Sequence, residues 1–214
     1  FGDGSALRQL DLNDNTISTL NSSLAGGGST HVGISIHPNQ QYVLMTEHIN
    51  PRIVKVELSG SYNSSIWFGN GANADGASSL YYPWLIKIAG SGNYVVTGGG
   101  GAGSGLFRYF DINAQPHPTN GAWVGAGLSG SYPRHVVMSD VDDFVYIYGS
   151  HGASQGIYRY NAGTDPSTYD SSNIAASTLV VGYGLTGGQT GLVVDRKGHN
   201  LYWWDNSTKQ IRTV

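Results

Sequence analysis

The sequence predicts an all-β protein assembled from short antiparallel sheets, and three observations carry that expectation. Apolar residues fall in runs of four to seven, rich in β-branched and aromatic types and bounded by Gly, Asn, Asp, Ser or Pro. No stretch keeps the 3.6-residue spacing of an amphipathic helix. The runs also recur: Tyr42, Tyr94, Tyr146 and Tyr202 sit in QYVLMT, NYVVTG, VYIYGS and LYWWDN, at spacings of 52, 52 and 56 residues. A period of that size marks a repeat architecture.

Each unit supplies four runs, lettered A to D outward from a common axis. Strand A is VGISI from 32, WLIKI from 84, HVVM from 135 and GLVV from 191. Strand B carries the tyrosine. Strand C carries a basic residue, Arg8, Lys55, Arg108, Arg159 or Arg212, in ALRQLDL, RIVKVEL, LFRYFDI, GIYRYN and QIRTV. Strand D closes the unit as TISTL, SIWFG, AWVGAG or LVVGYG. A four-stranded sheet this thin has two apolar faces that only neighbouring sheets can cover, and stacking around an axis covers both. The expected fold is one β-propeller domain over residues 1–214, with four-stranded antiparallel blades of about 50 residues. Its units run approximately 1–31, 32–83, 84–134, 135–190 and 191–214. Five C strands against four of each other kind leave incomplete blades at both chain ends. Three arrangements fit: a piece of a larger propeller, a four-bladed ring with a spare strand, or ends that pair with a neighbouring subunit. An unpaired strand edge invites the last.

Composition sets limits on partners. The hydrophobic fraction of 39% over 214 residues is enough for a core. The charged fraction of 12% is about half the usual ~25%, as expected if blades are covered on both faces. A net charge of −3 removes the counterion-release drive for nucleic acid, so no nucleic-acid partner is expected. No apolar run reaches the length of a membrane span, and the sequence does not open on a charged-then-apolar leader; because it begins at Phe1 and not Met, a processed or excised chain is expected. The absence of cysteine excludes thiolate chemistry, disulfides and sulfur-bound zinc.

GLVVDRKGHNLYWWDNSTKQIRTV, residues 191–214, resembles one repeat of the YWTD family of lipoprotein-receptor propellers and of the related NHL family. WFGNGANADGASSLYYPWLIKI, residues 67–88, resembles the NHL inter-blade connection, and weaker copies run across the whole chain. The resemblance implies an extracellular or scaffold propeller, with six blades as the family's usual count. The chain departs from the pattern in places. The Asp after the inner strand survives only as Asp195, against His37, Ala89 and Ser139; the family Gly survives at Gly33 and Gly191 but becomes Leu85 and His135.

Several motifs suggest chemistry. GASQG at 152–156 fits a nucleophile motif at Ser154, with Asp165, Asp195 and His199 downstream; that mechanism needs a strand-to-helix elbow, and no helix is expected here. GNGANA and TGGGGAGSG open no helix and lack the Lys-Ser or Lys-Thr of a phosphate loop, so they are expected as blade connections. Asp140, Asp142 and Asp143 fit a solvated A–B turn better than a calcium loop. His31, His37 and His135 surround strand A and His48 and His151 follow strand B, but no metal-binding spacing joins them, and no metal, cofactor or catalytic residue is assigned.

The aromatic residues carry more. Tyr82 and Trp84 in one connection, and Tyr132, Arg134 and His135 in the next, fall where strand A begins and loops of adjacent blades converge. Rings with an arginine suit a surface that stacks on a glycan or anchors a protein, in competition with simple blade packing. Trp84 and Arg134 lead that set. Asn21, Asn63 and Asn206 begin N-x-[ST] sequons and are the glycosylation candidates, a number that this composition yields by chance. The expected function is a non-enzymatic extracellular or cell-surface propeller, a scaffold or binding module able to assemble with itself through its chain ends. The alternative is a propeller hydrolase or lyase with a metal in the central channel.

Overall fold

The computed structural model describes residues 1–25, 31–71, 80, 82–101, 104–113, 123–124, 136–139, 144–151, 154–161, 178–182, 191–195, 200–205 and 208–214. Among these residues there are five antiparallel sheets and no helix. The first sheet holds β1 (Gly2–Asp3), β2 (Ala6–Leu10) and β3 (Ile17–Asn21). The second holds β4 (His31–Ile36), β5 (Tyr42–Glu47), β6 (Arg52–Glu57) and β7 (Ser64–Phe68). In the third are β8 (Pro83–Ile88), β9 (Tyr94–Gly101), β10 (Ser104–Asp111) and β11 (Trp123–Val124). The fourth consists of β12 (Val136–Met138), β13 (Phe144–His151), β14 (Ser154–Asn161) and β15 (Thr178–Gly182), and the fifth of β16 (Leu192–Val194), β17 (Leu201–Asp205) and β18 (Gln210–Thr213). Strands adjacent in sequence are adjacent in every sheet, so each sheet is a meander.

Successive sheets meet through their first strands, β1 on β4, β4 on β8, β8 on β12 and β12 on β16. Apolar side chains fill the spaces between them. Leu7 and Leu24 meet Val43, Met45, Val54 and Val56 of the second sheet. Leu44, Ile53 and Phe68 meet Ile86, Ile88, Val95 and Phe110 of the third. Val137, Tyr146 and Ile157 meet Leu192, Leu201 and Trp203 of the fifth. In the second sheet the alternation of strand side chains thus feeds two cores, one toward each neighbouring sheet.

Polar contacts lock the inner strands at fixed height. The Ser35 hydroxyl accepts the Ile88 amide N–H at 3.0 Å, and His37 Nε2 bonds the Gly92 carbonyl at 3.0 Å. At Gly33 the backbones nearly touch: a Cβ there would lie 2.8 Å from Leu85 Cα and 2.9 Å from Ile86 N. Gly33→Ala is therefore expected to lower stability by about 1–3 kcal/mol, the cost of overpacking where the neighbour is main chain. Urea unfolding of the two proteins measures it, and an unchanged midpoint would contradict the packing described.

The repeat differs in detail from the sequence expectation. Equivalent A–B turns are closed by His37, Ala89, Ser139 and Asp195 N–H groups donating to the carbonyls of Tyr42, Tyr94, Phe144 and Asn200. Tyr146 and Tyr202 therefore lie two residues deeper in their strands than Tyr42 and Tyr94, an even offset that keeps all four on the same face. A short β1 precedes the first C strand; two residues of Gly and Asp give no strand signal in sequence. TGGGGAGSG is not a blade connection: residues 97–101 belong to β9 and residues 104–105 open β10, with Gly98 facing Phe107 and Leu106 facing Gly99. Bare glycines suit a strand whose opposite positions are bulky, and that is where turn signals mislead.

Candidate functional site

In both β4 and β8 the pairing slips by one residue at the same place. His31 faces Glu47 and the next pair is Gly33 with Thr46; Pro83 faces Gly99 and the next pair is Leu85 with Gly98. Val32 and Trp84 are the extra residues. A bulge takes its side chain out of the ladder and re-aims it. Trp84 is 46% exposed, and Tyr82, 36% exposed, holds φ 37°, a left-handed backbone unfavourable for a bulky residue. Buried Pro83 fixes the chain between them. His48, the first residue beyond β5, lies against both rings, 4.1 Å from Trp84 and 5.0 Å from Tyr82 between centroids. Exposed Ile49 follows it. Two sheets thus build one aromatic cluster at the end of the molecule where inner strands begin.

Burial pushes the His48 imidazole below its ordinary value of 6.5, opposed in part by hydrogen bonding toward the main chain of Pro83 and Tyr82. Its Nδ1 is buried without a hydrogen-bond partner. A lowered folded pKa means that the unfolded chain takes up the proton first. The His48 contribution to stability is therefore complete above 6.5 and declines as pH falls below 6.5 through the lower folded value. His48→Phe, which keeps a ring against Trp84, is expected to flatten this part of the stability–pH curve. Thermal unfolding across acidic pH checks it; an unchanged slope would remove His48 as the source.

Next to His48, at the end of β5, stands a group that the sequence reading did not single out. Glu47, 0% exposed, accepts a 2.8 Å hydrogen bond from Asn50 Nδ2 at Oε1, while Oε2 lies 3.9 Å from Arg52 Nη1 and has no hydrogen bond. Gly71, at φ 82°, lets the guanidinium approach: a Cβ there would lie 2.7 Å from Arg52 Nη2. The available signal was a carboxylate closing an otherwise uncharged, apolar strand, YVLMTE.

Of the sequence-predicted surface, the structure brings Tyr82 and Trp84 together with His48; Tyr132, Arg134 and His135 lie outside the described residues. So do Asn206, Asp140, Asp142, Asp143, Asp165 and His199. Asn63 is exposed, whereas the Asn21 side-chain amide donates to the Tyr62 carbonyl at 2.7 Å. Ser154 starts β14 opposite His151 across a hairpin, not at a strand-to-helix elbow. His31 Nδ1 bonds the Gly4 carbonyl at 2.8 Å, and with His37 also on main chain, both inner-strand histidines serve inter-sheet contacts. Among the described residues no three His, Asp or Glu side chains are grouped to hold a metal. A groove of about 570 Å³ lies between the first and second sheets, lined by Phe1, Gln9, Leu20, Ile34, Ile36 and Tyr62, where the two-residue β1 leaves β4 partly uncovered.

No family model and no curated protein matches the chain. Solved structures do. The nidogen/laminin complex contains a chain that matches with a TM-score of 0.67 and 16% identity over 100% of this chain and 72% of that one. TolB from Acinetobacter baumannii matches at 0.64 and 12% over 98% of this chain and 49% of its own. Hydrazine synthase from Kuenenia stuttgartiensis matches at 0.60 and 11% over 93% and 49%. The fold is a β-propeller. At these identities the likeness concerns the propeller alone, and the chain spans about half the length of the TolB and hydrazine synthase chains. Among its described residues no helix is long and apolar enough to cross a membrane.

Proposed function

We propose that this propeller is a non-enzymatic binding module, extracellular or at the cell surface, that holds a protein or glycan partner on the face where inner strands begin. The bulge that turns Trp84 outward beside Tyr82 and His48 carries the reading, because rings exposed by backbone irregularity and left-handed strain are costly to the fold alone. Tyr132, Arg134 and His135 extend the surface in this reading: Arg134 stands two residues before Val136, as Trp84 stands before Ile86. The nidogen structure, a propeller solved with laminin, supports a protein partner. Self-assembly through terminal strands and glycans at Asn63 or Asn206 belong to the same proposal.

The test is binding to immobilised laminin, other matrix proteins and an oligosaccharide panel. Trp84→Ala is expected to weaken whatever binds by tenfold or more, the behaviour of an aromatic anchor. Equal binding by wild type and Trp84→Ala would overturn the site. The enzyme reading draws on the similarity to hydrazine synthase and on the bare Glu47 oxygen; it gains if the panel is silent and Glu47→Gln abolishes a hydrolase or lyase activity of the wild type.

A further inference from the structure

Two Asn-Gly pairs occur in the chain, Asn70–Gly71 and Asn120–Gly121, and the second lies outside the described residues. An asparagine before glycine can close on itself: the glycine nitrogen loses its proton and attacks the side-chain carbonyl carbon. A Cβ on the following residue would hinder that approach, and glycine has none.

The fold presents Asn70 to this reaction. Pairing of β6 with β7 slips by one residue beside Ile53, as third and fourth strands also slip beside Leu7 and Ile157. It ends at Phe68, and Asn70 lies exposed two residues beyond. Gly69 and Gly71 on either side hold φ of 94° and 82°, which only glycine adopts freely. A positive charge adjoins the pair. A Cβ at Gly71 would lie 2.7 Å from Arg52 Nη2 and 3.1 Å from its Nε, so the guanidinium rests against the residue whose nitrogen attacks. Buried Glu47, 3.9 Å from Nη1, anchors that guanidinium. A cation so close favours the deprotonated nitrogen and the anionic intermediate that follows.

We infer that Asn70 is a site of spontaneous modification, converted through a cyclic imide with Gly71 to aspartate and isoaspartate. The Gly71 nitrogen bonds to Cγ of Asn70, the Cγ–Nδ2 bond breaks, and ammonia leaves with the proton that balances the one Gly71 gave up. Water then opens the ring. Cleavage at Cγ yields aspartate, and cleavage at the main-chain carbonyl of residue 70 yields isoaspartate, whose backbone runs through the former side chain. Either product sets a carboxylate beside the guanidinium that Glu47 uses, and isoaspartate also lengthens the main chain by a methylene. The segment has no slack to absorb it: a Cβ at Gly69 would lie 2.6 Å from the Pro51 carbonyl oxygen and 2.9 Å from Arg52 Cα. The isoaspartate form therefore separates from the start of β6. This goes beyond the function proposed above, since it needs no partner and does not involve the Trp84 surface.

Mass spectrometry of peptides from chains aged at mildly alkaline pH, in buffer and in urea, tests it. In buffer the peptide bearing Asn70 is expected to gain about one dalton, amide becoming acid, at least as fast as in urea. Asn70→Ser is expected to abolish the gain and leave thermal unfolding unchanged. Glu47→Gln combined with Arg52→Met removes the cation without stranding a buried charge, and is expected to slow conversion several-fold in buffer but not in urea. An Asn70 peptide that converts in urea and stays intact in buffer would overturn the inference, because the fold would then protect the site. Conversion of the double variant at the wild-type rate would overturn the part given to Arg52; Arg52→Gln replaces it if circular dichroism shows that its sheets are lost. Aged wild type is expected to unfold at a lower temperature than fresh, and equal temperatures at full conversion would contradict the separation from β6.

Discussion

Phe110→Ala is expected to lower the unfolding free energy by about 3–5 kcal/mol. Phe110 has no exposed surface and lies in β10 between two aromatic side chains of β7, 4.5 Å from Phe68 and edge-on at 5.5 Å from Trp67. Its ring is shared by two sheets, neither of which buries its own face alone, so removal opens a cavity at a joint and not inside a layer. Loss of both ring contacts adds to the loss of buried area. Denaturant unfolding measures it, and Phe110→Leu is expected to recover much of the loss. A loss under about 1 kcal/mol for alanine would mean that the two sheets close the gap by sliding, against the tight contact at Gly33.

Arg52→Met is expected to cost about 3 kcal/mol, for a different reason. The methionine fills similar space, yet Glu47 is left fully buried without its ion-pair partner, its hydrogen bond from Asn50 unchanged. An uncompensated buried carboxylate is more harmful than the loss of the pair itself, because the pair's attraction is largely cancelled by desolvation. Adding Glu47→Gln to Arg52→Met should therefore restore much of the stability. A double variant no more stable than Arg52→Met would show that the guanidinium acts through packing, not through charge.

The architecture was legible because period, strand length and turn chemistry all pointed one way. Tyr42, Tyr94, Tyr146 and Tyr202 share a sheet face even though their registers differ by two residues, so the period located the strands while concealing their exact alignment. The basic residues were less faithful: Lys55 and Arg159 stand two residues after Ile53 and Ile157, on the same face, whereas Arg8 directly follows Leu7 and lies on the opposite one. An odd offset is invisible to a count of spacings and decisive in a sheet. At the candidate site, exposure of Tyr82 and Trp84 was expected from their place at a strand entry, but the bulge that aims Trp84 depends on hydrogen-bond register, which the sequence does not print. His48 reaches the cluster from another sheet, so its proximity is a tertiary property.

The register slips between third and fourth strands leave Leu20, Trp67 and Val180 as supernumerary residues in β3, β7 and β15. Fourth strands form the outer perimeter, where unsatisfied amides would otherwise recruit foreign polypeptide. Irregular, over-twisted margins make poor templates for cross-β growth, so the perimeter carries its own protection against amyloid-like accretion without spending charged residues there.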